Sequence, residues 1–95
     1  MKEIIQQRLS NEISLHLLQI RDDSIQHKEH IGNIVGGGHY TAIIVSDSFQ
    51  GMTLLNRHKL VYQALGNLIG NEIHAFSMQT LTISEYQDST FLQST

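Results

Sequence analysis

Hydrophobic positions divide the chain into short stretches of contrasting period, separated by polar and glycine-rich residues. Over residues 2–13, Ile4, Ile5, Leu9 and Ile13 recur on one helical face and Lys2, Gln6, Arg8 and Glu12 on the other, which predicts a helix. Residues 15–21 are few, rich in Leu and Ile and bounded by polar side chains, so they read as a strand, although adjacent Leu17 and Leu18 break the alternation. The clearest strand is 39–46, where Tyr40, Ile43, Ile44 and Val45 supply the β-branched and aromatic side chains that suit a pleated surface. From Leu54 the period becomes helical. Apolar residues fall at 54, 55, 61, 62, 65, 68 and 69, with His58 on the same stripe and Arg57, Lys59, Gln63 and Asn67 off it. Thr53 is placed to cap this helix, Gly51 to make the turn before it, and Gly70-Asn71 to end it after Ile69. Residues 73–82 predict a third strand, and 83–88 one short helical turn capped by Thr82 or Ser84.

The order α-β-β-α-β, with a possible terminal α, restricts the topology. A helix joining the second and third strands makes them parallel with a right-handed crossover, and the first two strands are then antiparallel. The expected architecture is a two-layer α+β domain, a three-stranded mixed sheet with helices on one face. No repeat or linker divides it. Residues 1–88 read as one domain and 89–95 as a flexible tail with little to bury. One segment has no period: 23–38, ending in Gly36-Gly37-Gly38, is longer than the ordinary connection of a compact domain.

Composition narrows the chemistry. Forty per cent apolar and 16% charged residues suit an ordinary globular chain, and no apolar run is long enough to span a bilayer. Nothing at the start has the pattern of a secretory signal, so a reducing cytoplasmic setting is expected. The absence of cysteine excludes disulfides, thiolate catalysis and an iron–sulfur cluster held by this chain's own thiolates. Six histidines, at 16, 27, 30, 39, 58 and 74, leave imidazole as the available soft-metal ligand. A net charge of −3 weighs against a strong non-specific grip on nucleic acid, and Arg57–Lys59 is the one basic cluster. No nucleophile elbow or phosphate-binding glycine loop is present, since the glycine triplet precedes a strand, so an enzyme is not expected.

The stretch F-Q-G-M-T-L-L-N-R-H-K, from Phe49 to Lys59, resembles the signature of the BolA family. H-Y-T-A-I-I-V-S-D-S-F before it and I-H-A-F-S-M-Q-T-L-T-I-S-E-Y after it agree, as do residues 17–24, so the resemblance spans about the whole domain. It implies a fold similar to a class II KH domain. It also implies a non-enzymatic adaptor that pairs with a monothiol glutaredoxin and its glutathione to co-ligate a 2Fe–2S cluster in iron–sulfur assembly or iron homeostasis. Alone, the chain would carry no cluster and be a monomer or weak homodimer.

The implied iron ligands are His74, in the H-A pair that opens the third strand, and one residue of the long connection. The resemblance places that residue a few positions after the Asp-x-Ser matched by Asp22–Ser24, which implies His27; His30 competes because this connection is longer than in relatives, and His39 is third. The alternative implied function is a DNA-binding transcriptional regulator of stress or morphology. It would present Gly51, Thr53, Asn56, Arg57 and Lys59 to nucleic acid or a partner, although the KH clamp's second glycine is missing from G-M-T-L. On the residues alone, Arg57 and Lys59 equally suit a solvated helix face. His58, on the apolar stripe, is expected to be a core histidine and not a ligand.

Overall fold

The computed structural model describes residues 1–24 and 38–93. The elements run α1 (Lys2–Glu12), β1 (Leu15–Asp22), β2 (Gly38–Ser46), α2 (Leu54–Leu65), β3 (Ile73–Leu81) and α3 (Ile83–Gln93), with single 3-10 turns at Asp47–Phe49 and Gly66–Leu68. The sheet order is β1-β2-β3, with β1 antiparallel to β2 and β2 parallel to β3, as a helical crossover requires.

Alternation along β2 sets the layers. Tyr40, Ala42 and Ile44 are buried, and the intervening Thr41 and Ile43 are only half-buried. The buried set joins Ile5, Leu9 and Ile13 from the first helical region, Val61, Ala64 and Leu65 of α2, and Phe49, Leu68, Ile73 and Phe76 in one core. This is the two-layer α+β domain expected. No helix among the described residues is long and apolar enough to cross a membrane.

Three local expectations change. In α1, Ile4 is 43% exposed, and the core takes only the i, i+4, i+8 row of Ile5, Leu9 and Ile13. In α2 the helical period holds but its phase differs from that expected. Its buried residues are Arg57, Val61, Ala64 and Leu65, while Leu54 and Leu55 are each 64% exposed and Tyr62 is largely exposed. The helix also stops earlier than Ile69. Gly66, at φ 55° and ψ −128°, caps it with an N–H donated to the Tyr62 carbonyl, a backbone state that glycine adopts readily.

The chain's end is also more regular than expected. Thr82 and Glu85 form a reciprocal capping box. The Thr82 N–H donates to Glu85 Oε1 at 2.9 Å, and the Glu85 N–H donates to Thr82 Oγ1 at 3.1 Å. From that start α3 continues to Gln93, so residues 89–93 of the expected tail are helical.

Candidate functional site

Because β2 and β3 are parallel, their first residues lie at the same end of the sheet. Gly38 pairs with Ile73, the register then shifts, and His39 pairs with Ala75, so His74 is the extra residue on the β3 side. The shift brings two imidazoles together. The ring centroids of His39 and His74 are 5.1 Å apart with planes inclined at 47°. His74 is exposed and His39 half-buried. Among the described residues no group of three or more His, Cys, Asp or Glu side chains gathers as metal ligands would, so this end offers a pair of nitrogen donors.

The strand beneath His39 is held from both neighbours. Toward β3, the Gly38 N–H donates to the Glu72 carbonyl at 2.8 Å. A Cβ on Gly38 would lie 2.5 Å from a Tyr40 ring carbon, so the approach of that ring to the main chain needs glycine here. Toward β1, the Asp23 N–H donates to the His39 carbonyl at 2.7 Å, and the His39 N–H donates to Ser24 Oγ at 3.0 Å. The Ser24 N–H in turn donates to Asp22 Oδ1 at 2.9 Å, an Asx turn whose hydrogen bonds hold the Asp22 carboxyl below the usual carboxylate range. Asp23 accepts from the Thr41 hydroxyl and from Arg21 Nε, each at 2.6 Å. His27 and His30, ranked above His39 in sequence, lie outside the described residues.

The basic segment at the start of α2 sits differently from its sequence reading. Thr53 Oγ1 accepts the Asn56 N–H at 3.1 Å, the cap expected, and Gly51 turns the chain at φ 75°. Gly51, Thr53, Asn56 and Lys59 are exposed. Arg57 is not: it is 7% exposed, and its placement on a solvated face is corrected. Its Nε donates to the Met52 carbonyl at 3.0 Å, and Nη1 donates to the Thr80 carbonyl at 3.1 Å and to Glu85 Oε1 at 2.7 Å. Nη2 reaches Glu85 Oε2 at 3.2 Å, and the guanidinium lies 5.9 Å from the Phe49 ring centroid. A buried charge is tolerable because all three nitrogens of the planar fork meet an acceptor. The pairing holds the Glu85 carboxyl down at about 2. His58, expected in the core, is half-buried beside it.

The sequence reading missed Ser24, Asp23 and Glu85. Two signals were available: D-x-S is an Asx-turn pattern, and T-I-S-E at residues 82–85 is a capping box.

Comparison with known proteins agrees with this fold. The family model described as BolA-like protein matches residues 9–85. The chain belongs to the BolA family. It is 31% identical over 93 residues to the DNA-binding transcriptional regulator BolA of Escherichia coli K12, covering 95% of this chain and 86% of that protein. It is 36% identical over 84 residues to Protein BOLA1, chloroplastic, of Arabidopsis thaliana, covering 85% of this chain and 52% of that protein. Among solved structures, BolA1 from Arabidopsis thaliana superposes with a TM-score of 0.76 at 34% identity, over 90% of this chain and 94% of that one. A Bol-like protein from Babesia bovis superposes with a TM-score of 0.75 at 33% identity, over 95% and 93% of the two chains. These BolA relatives are named as regulators or as BolA proteins, not as enzymes.

Proposed function

We propose that this chain is a non-enzymatic cytoplasmic adaptor that shares a 2Fe–2S cluster with a monothiol glutaredoxin and its glutathione. The observation that supports this reading is the His39–His74 pair. Imidazole nitrogens bind a metal at about 2.0–2.1 Å, so two rings on one tetrahedral ion have centroids roughly 5 Å apart. The observed 5.1 Å fits that donor set.

Two imidazoles suffice for one iron of such a cluster, and the chain has no cysteine with which to hold the other. The partner therefore supplies thiolates. His74 is the first ligand. The second comes from His39, whose ring already lies beside it, or from His27 or His30 in the connection before β2. Imidazole ligation gives a bound cluster a higher potential than thiolate alone, and because the ring must be neutral to bind, acid weakens it.

Anaerobic reconstitution of the chain with a monothiol glutaredoxin, iron, sulfide and glutathione tests the reading. A visible absorption and circular dichroism spectrum distinct from that of the glutaredoxin homodimer is expected, and His74→Ala should abolish it. An identical spectrum from His74→Ala would refute imidazole ligation by this chain.

A second reading, DNA-binding transcriptional regulation, is favoured by the names of bacterial relatives. Lys59, exposed on α2, would supply the phosphate contact, since Arg57 is engaged within the domain. Lys59→Ala should then weaken DNA binding at low salt and flatten its salt dependence. Indifference of binding to that change counts against this reading.

A further inference from the structure

We infer that Ser24 is the positioning residue of the imidazole pair, holding the His39 main chain so that its ring stands beside that of His74. The inference rests on the adaptor reading and concerns how the site is prepared before a ligand arrives. The β1–β2 register ends at Asp22 opposite Tyr40, so Asp23 and His39 would form the next rung. One half of that rung is ordinary ladder, the Asp23 N–H to the His39 carbonyl at 2.7 Å. The other half is not: the His39 N–H meets the Ser24 hydroxyl at 3.0 Å.

A side chain therefore takes the place of a backbone acceptor at the position where the chain leaves the sheet. Asp22 fixes the main chain that carries this side chain by accepting the Ser24 N–H at 2.9 Å. Two residues along the same face of β2, the Thr41 hydroxyl donates to Asp23 at 2.6 Å and ties the same turn down again. Both polar main-chain groups of His39 are thus held by Asp23 and Ser24, the two residues that follow β1, while His74 stands in β3 at the register shift. A ligand whose main chain is anchored in this way has less to order when a metal is captured, and supporting hydrogen bonds can tune affinity without touching the metal.

The test compares Ser24→Ala, Ser24→Thr and His74→Ala. On the free protein, amide hydrogen exchange at His39 is read by NMR; on the reconstituted heterodimer, the rate of cluster loss to a chelator is followed. Losing one hydrogen bond of about 1 kcal/mol, Ser24→Ala should speed both roughly fivefold. Ser24→Thr, which keeps the hydroxyl, should restore both. A Ser24→Ala variant with wild-type values of either rate, in a system where His74→Ala loses the spectrum, overturns the positioning role. A His74→Ala heterodimer with an unchanged spectrum refutes the imidazole reading itself, and the inference falls with it.

Discussion

Replacing Arg57 by alanine should destabilise the domain far more than loss of a surface arginine would. The side chain donates to two main-chain carbonyls, of Met52 and Thr80, and forks onto Glu85 with two further bonds. Losing a net bond to each carbonyl costs about 1 kcal/mol apiece, and the stem's own burial adds to this. The ion pair must be discounted. Its arginine side chain is 9% exposed but its glutamate 46%, so water screens one partner, and about 1 kcal/mol is a fair share.

The total comes to about 3–4 kcal/mol, and for a domain of this size a fall in Tm on the order of 15–25 °C. Thermal and urea melts followed by far-ultraviolet circular dichroism measure it. Arg57→Lys keeps the charge but not the fork, and should recover only part of the loss. A cost below about 0.5 kcal/mol for Arg57→Ala, the usual range for exposed sites, would refute the reasoning.

Other perturbations test neighbouring parts of the argument. Glu85 titrates at about 2 in the folded chain against an ordinary 4.5, so its contribution to stability is present above the ordinary value and lost as pH falls toward 2. Glu85→Gln should therefore flatten the acid limb of a stability–pH curve between those values, and a curve identical to wild type would exclude the pairing. Leu54→Ser and Leu55→Ser should each change stability by less than about 0.5 kcal/mol, because both side chains are 64% exposed. A loss of about 2 kcal/mol from either would mean that this side of α2 is covered. Gly66→Ala should cost about 1–3 kcal/mol, because φ 55° with ψ −128° strains any residue bearing a Cβ. A neutral result in urea unfolding would argue against that cap.

The layers were legible in the sequence because they depend on local period. Alternation around Tyr40, Ala42 and Ile44, and the helical spacing of Val61, Leu65 and Leu68, each specify one buried face without knowledge of the rest. The phase of α2 was not legible by the same rule. Treating arginine as outward-facing rotates the expected stripe toward Leu54, Leu55 and Tyr62. The true face includes Arg57, because beyond the nearby Met52 carbonyl its acceptors lie 23 and 28 residues away, at Thr80 and Glu85. No window of the helix contains them. The end of α2 is a related case: Gly66 and Gly70 both have positive φ, so either glycine suits a helix end and the local sequence does not choose between them.

The candidate site divides along the same line. That His39 and His74 each open a strand could be read locally, and so could the D-x-S turn of Asp22–Ser24. Their meeting depends on a parallel register with a one-residue shift after Gly38, a non-local fact that no single strand's sequence contains. The family resemblance instead favours a histidine of the long connection and puts His39 third. The two orders have different consequences for replacement. If the second donor is His39, then His39→Ala should remove the heterodimer spectrum as completely as His74→Ala, and His27→Ala and His30→Ala should leave it intact. If the connection supplies the donor, one of those two changes removes it and His39→Ala only weakens it. Competence of a His39→Ala heterodimer with an unaltered spectrum would return the ligand to the connection, and reduce the 5.1 Å ring pair to a packing contact.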